Sequence, residues 1–126
     1  VEIGARNGGY RDKMHYLANG IDITTAALDI AIGKTPEIKA TKNDPCAVLE
    51  LFPKESGEYI GLQNEEKLRS LDSLVYLNIK ADKGQKVGKS SDGHKMCAVI
   101  VLHNSDKKQF EKDLDFIDNQ VSVITK

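Results

Sequence analysis

Apolar and polar positions recur with two different periods along the chain, and the change of period divides it. From Arg11 to Ala18, Met14, Leu17 and Ala18 fall at helical spacing and predict a helix stopped by Asn19-Gly20. Asp22 is placed to cap a second helix with Ile23, Ala27, Ile30 and Ala31 along one face, ended by Gly33. Residues 34–45 are polar, are punctuated by Pro36 and Pro45, and read as a connector.

Beyond the connector the pattern turns to strands. Cys46 to Phe52 is an apolar strand stopped by Pro53, and Glu58 to Leu62 is a short second one. Asn64 is placed to cap a helix of one or two turns through Leu68 and Leu71. From Leu74 to Lys80, Val75, Leu77 and Ile79 alternate with Tyr76, Asn78 and Lys80, the period of a half-buried strand. Lys83-Gly84 turns the chain into a short strand around Val87, and Asp92-Gly93 signals a hairpin. Met96 to Leu102 is apolar at nearly every position, as a central strand is. Ser105 or Asp106 caps a last helix with Phe110, Leu114 and Ile117 on one side, and Gln120 to Ile124 is a final strand. The expected class is α+β: a strand end and a helical pair, then a small, mostly antiparallel sheet of four to six strands with one packed helix.

Composition narrows the function classes. The 126 residues carry 18 Lys plus Arg against 19 Asp plus Glu, so no net field gathers nucleic acid or an anionic membrane. No apolar run approaches the roughly 20 residues of a membrane helix, and no signal peptide is visible. Cys46 and Cys97 lie far apart in strand-type runs and read as reduced, buried thiols of a cytoplasmic protein. There is no CxxC, HExxH or Cys/His cluster of the kind that holds zinc.

The chemistry concentrates at the start. Val1 to Ala5 reads as a strand end, on which Glu2, Gly4 and Arg6 share a face; Asn7-Gly8-Gly9 then forms a turn whose backbone N–H groups can meet an anion. A carboxylate, a guanidinium and a glycine turn suit Mg²⁺ with a phosphate or carboxylate. The same residues also fit a solvated strand end with an ordinary ion pair, and spacing alone favours that plainer reading.

Glu2-Ile3-Gly4-Ala5-Arg6-Asn7-Gly8-Gly9, followed by a helix, resembles the last metal-binding strand of the ATP-grasp carboxylate ligases, which carries Glu-x-Asn-x-Arg and a glycine loop. Asn19-Gly20-Ile21-Asp22, Leu51-Phe52-Pro53, Gly57-Glu58 and Lys83-Gly84-Gln85-Lys86-Val87-Gly88 are similar, in order, to the C-terminal part of the L-amino-acid ligase branch. The resemblance implies a C-terminal fragment of a longer ATP-dependent carboxylate–amine (or thiol) ligase that works through an acyl phosphate. Residues 1–40 would end the catalytic domain and residues 41–126 would form the C-terminal α+β domain. It further implies Glu2 as a ligand of Mg²⁺, Arg6 as the catalytic and substrate-binding cation, and Gly8 and Gly9 as substrate-binding backbone. ATP and a small carboxylate would be bound by the intact enzyme, and the fragment alone would be inactive. Gly4 departs from the pattern, standing where many members have a metal-ligating Asn.

Other groups read as structural. His15 sits at a helix packing edge, His94 is solvated after a turn, and His103 ends a buried strand. Ser90, Asp92 and His94 crowd one turn, whereas a working triad converges from separate elements. Lys83 to Lys89 lacks the spacing of a phosphate loop and reads as a hairpin with exposed lysines. The rival reading of the chain is an independent α+β binding or interaction module without catalytic activity. Composition leaves a homo-oligomer open.

Overall fold

The computed structural model describes residues 8–126. Its elements run α1 (Arg11–Asn19), α2 (Ile23–Ala31), β1 (Cys46–Leu51), β2 (Gly57–Leu62), α3 (Glu65–Arg69), β3 (Leu74–Ile79), β4 (Lys86–Val87), β5 (Ala98–His103), α4 (Lys107–Gln120) and β6 (Val123–Thr125). This is the expected α+β class, with all strand pairs between these elements antiparallel. The strands divide between two three-stranded sheets, ordered β1-β5-β3 and β4-β2-β6.

The helix boundaries follow from local chemistry. Gly20 adopts φ 73° after α1 and donates its N–H to the Tyr16 carbonyl, closing the helix as a left-handed cap. Asp22 Oδ1 accepts from the Thr25 N–H at 2.9 Å and Oδ2 from the Thr25 hydroxyl at 2.7 Å, which fixes the start of α2. Asp106, rather than Ser105, caps α4 by accepting from the N–H groups of Lys108 and Gln109. Asn64 precedes α3 as expected but does not cap it with its side chain. It is held at φ 56°, and its amide donates to the Gln120 carbonyl at 2.7 Å, tying α3 to the end of α4.

β5 is the centre. Ala98, Ile100 and Leu102 face a core shared with Leu68 of α3, with Phe110 and Ile117 of α4, and with Tyr59, Leu62, Val87 and Val123 of the second sheet. Val99 and Val101 point to the opposite face and are equally sealed, at 0% exposure. Tyr76 of β3 pairs with Val101 and so shares that outer face. Tyr10 and Lys13 lie against the Tyr76 ring there, with centroids 6.2 Å apart for the two rings and the Lys13 ammonium 4.6 Å from the Tyr76 centroid. α1 therefore approaches the outer face, while α4 and the second sheet occupy the inner one.

Two strand expectations are corrected. The alternation placed Val75 inward with Leu77 and Ile79. A shift of register between Leu74 and Tyr76 instead sends Leu74 to the core and leaves Val75 40% exposed. The Asp92-Gly93 signal does not build a hairpin, because β4 pairs with β2 and not with β5. Ser90–Asp92 forms a 3₁₀ turn closed by Gly93 at φ 77°, which carries the chain from one sheet to the other.

One buried carboxylate joins three elements. Asp113 on α4 accepts from the Ser73 N–H at 3.0 Å and from the Gln109 amide at 2.8 Å, while the Ser73 carbonyl accepts from the His103 N–H at 2.9 Å. Asp113 and Ser73 are both buried, so each needs its partner. Asp113→Ala should lower unfolding free energy by about 1–3 kcal/mol in urea denaturation, by orphaning the Ser73 N–H. The α2 cap sets a pH dependence. The backbone and then the hydroxyl of Thr25 hold the Asp22 carboxyl below its ordinary range. Its stabilising effect is thus present above the unfolded-state value and lost as pH falls through the lower folded value. Circular dichroism through acid titration should show that loss in the native chain and not in Asp22→Ala.

Candidate functional site

Gly8 and Gly9 lead directly into α1. Gly9 adopts φ 58°, and a Cβ placed there would meet no heavy atom within 4 Å, so its backbone is open to an approaching group. Gly8 lies against the Arg11 guanidinium and its carbonyl accepts from the Arg11 N–H at 3.3 Å. Glu2 and Arg6 lie outside the described residues, and so do the strand end at Val1–Ala5 and Gly4. The described part of the motif thus places the glycine turn at the head of α1, beside the outer face of the first sheet. Among the described residues, no three His, Cys, Asp or Glu side chains gather as a metal site.

The remaining sequence candidates disperse. His15 shares a 3.5 Å contact with the Asn19 amide on α1. His103 meets Asp44 at 3.1 Å, Asp44 being also 3.7 Å from Lys42. Ser91 donates to its neighbour Asp92 at 3.2 Å within the turn, and no Ser–His contact forms among the described residues. Cys46 and Cys97 are unbonded thiols. Burial raises both above the ordinary thiol range; for Cys46, Lys42 partly opposes it.

The face predicted for α2 is not buried. Ala26 is its one buried residue, whereas Leu28 and Ile30 are 61% and 62% exposed. Ile32 after α2, Ile38 in the connector and Tyr16 of α1 are likewise more than half exposed. Natural monomers rarely leave such a run uncovered. The end of the connector is fastened on both sides: the Asn19 and Ala18 carbonyls accept from the N–H groups of Thr41 and Asp44, each at 2.9 Å, and Asp44 reaches His103.

A second feature escaped the sequence reading. A cavity of about 370 Å³ opens between β4, the end of β3 and the segment entering β5, with Lys80, Lys86, His94 and Lys95 in its wall. It shares Lys86, Val87 and His94 with a neighbouring, wider cleft of about 730 Å³ that also holds Glu58 and Lys126. The available signal was three lysines with few acids around them, but only folding brings positions 80, 86 and 95 together.

No protein-family model matches the chain, and no curated protein matches its sequence. Solved structures do match. An L-amino acid ligase from Bacillus licheniformis superposes with a TM-score of 0.79 at 15% identity, over 98% of this chain and 31% of that one. A phosphoribosylglycinamide synthetase from Anaerococcus prevotii gives a TM-score of 0.64 at 17% identity, over 93% of this chain and 30% of that one. An N5-carboxyaminoimidazole ribonucleotide synthetase from Thermotoga maritima gives 0.57 at 14% identity, over 91% of this chain and 31% of that one. All three are ATP-grasp ligases, so the resemblance read from the sequence holds at the level of fold. The chain spans less than a third of the length of each.

The thiol environments give a direct check. Cys97 is buried to 1% exposure and kept protonated by desolvation. Alkylation by iodoacetamide at neutral pH should label Cys46 first, and Cys97 only at the rate of unfolding, read by mass spectrometry across a urea series.

Proposed function

We propose that this chain is the C-terminal part of an ATP-dependent carboxylate–amine ligase, with residues 1–40 completing the catalytic domain and residues 41–126 forming the domain that packs against it. The observation that carries this reading is the match of 98% of the chain to about a third of an L-amino acid ligase. The uncovered apolar surface of Leu28, Ile30, Ile32 and Ile38 supports it, because all of it lies in the part assigned to the catalytic domain. Burying such side chains against the remainder of a ligase would contribute about 1.5–3 kcal/mol each.

In this reading Glu2 contributes one carboxylate to Mg²⁺, and Arg6 pairs with the carboxylate substrate and then with the acyl phosphate made from it. Gly9, open and at positive φ, lets the backbone come close to that substrate. The ion, when bound, neutralises charge on the phosphoryl group in transfer. With no metal cluster among the described residues, Glu2 needs further ligands from elsewhere in the parent polypeptide. An amine, or a thiol, displaces phosphate in the second half-reaction.

The test is carboxylate-dependent release of phosphate from ATP, with hydroxylamine trapping of the acyl phosphate. The 126-residue chain should be inactive, and the polypeptide encoded by its full reading frame active. In that polypeptide Arg6→Ala should lower kcat at least about 100-fold, the scale of losing one transition-state charge partner, and Glu2→Gln should raise the Mg²⁺ requirement. Full activity in both variants would sink the site assignment. Absence of any ligase chemistry in the full polypeptide would favour the binding-module reading instead.

A further inference from the structure

The basic cavity between the two sheets stands on residues of this chain alone and does not depend on the ligase reading. Three lysines converge on it from three segments: Lys80 after β3, Lys86 on β4 and Lys95 ahead of β5. None of the three makes an ion pair among the described residues. The one side-chain partner of the Lys80 ammonium among them is the Met96 thioether at 3.6 Å, a weak acceptor. Glu58 stands opposite Lys86 across the β2–β4 ladder and lines the adjoining cleft, but no acid lines the cavity itself; collecting like charges there is unfavourable, and an anion in the cavity relieves it.

Further donors occupy the same wall. The backbone N–H groups of His94, Lys95 and Met96 find no acceptor among the described residues. Gln85 uses its carbonyl oxygen to accept from the Asp82 N–H, which leaves its NH₂ to donate. The His94 ring lies directly on Gly88: a Cβ there would come within 2.5 Å of His94 Cδ2 and 2.7 Å of Nε2, so the glycine is what admits the imidazole. Ammonium point charges, backbone donors and an imidazole suit a tetrahedral oxyanion such as phosphate, which lysine binds as a point charge.

We propose that this cavity binds the phosphate group of a small molecule, with Lys80, Lys86 and Lys95 as its cations and His94 seated against Gly88 as a positioned donor. The adjoining cleft, entered past Lys86 and His94, has room for the rest of such a ligand.

Amide-resolved NMR titration of the 126-residue chain at low ionic strength tests this, with inorganic phosphate, pyrophosphate and citrate as probes and sodium chloride as the ionic-strength control. Phosphate and pyrophosphate should give saturable shifts confined to the segments around Lys86–Gly88 and His94–Cys97. Lys86→Gln and Lys95→Gln, both exposed and expected to leave the rest of the spectrum unchanged, should each weaken binding about tenfold. Gly88→Ala should displace His94 and weaken binding without reducing charge. Shifts that never saturate, equal shifts at the exposed Lys107-Lys108 pair, or unchanged affinity in both lysine variants would overturn the site. Citrate binding more tightly than pyrophosphate would overturn the phosphate assignment.

Discussion

The structure depends on burying one strand on both sides. β5 runs through the middle of the first sheet with Ala98 to Leu102 sealed from solvent, so its inward and outward side chains both need a cover. The inner cover is α4 with the second sheet; α1 comes up to the outer one. A strand apolar at successive positions still presents apolar side chains to both faces after a slip of one residue, so alternation gives it little protection against slipping. Its register is held at the ends by polar contacts: the Ser73 carbonyl on the His103 N–H, the Leu51 carbonyl on the Cys97 N–H, and Asp44 on the His103 ring. The apolar interior sets how much is buried, and these few hydrogen bonds set which residue goes where.

Much of this was legible locally. Helix ends are written in short-range chemistry, and Gly20, Asp22 and Asp106 act where the sequence places them. The continuous apolar run before His103 marked the central strand because only burial on two faces tolerates it. What could not be read was set by distant partners. Whether Val75 points in or out depends on a register shift against β5, and whether Asp92-Gly93 makes a hairpin depends on β4 having β2 as a better neighbour. Asn64 has a cap residue's identity, but its amide is drawn off by a carbonyl 56 positions away.

The candidate sites divide in the same way. The opening motif is contiguous, so its residue types were visible at once, although Glu2 and Arg6 fall outside the described residues and only the glycine turn has a described geometry. The basic cavity is the reverse case. Its lysines are scattered over three segments and each alone looks like a solvated surface charge. The apolar face of α2 was legible as apolar, but not where it is covered, since periodicity reports that a face wants a partner and not where the partner comes from.

The second sheet joins pieces of sequence made at very different times. β2 is flanked by β4 on one side and β6 on the other, and the last of its ladder contacts, between Glu58 and Lys126, spans 126 − 58 = 68 positions. During synthesis β2 therefore emerges long before the strand that completes it. The first sheet and α4 can assemble while β2 still presents an unpaired edge, so a nascent chain passes through a stage in which Tyr59 and Leu62, later core residues, have no cover from β6. Contacts of such range close slowly. The late, long-range pairing of β2 with β6 is then the step at which a folding chain is most exposed to misassembly.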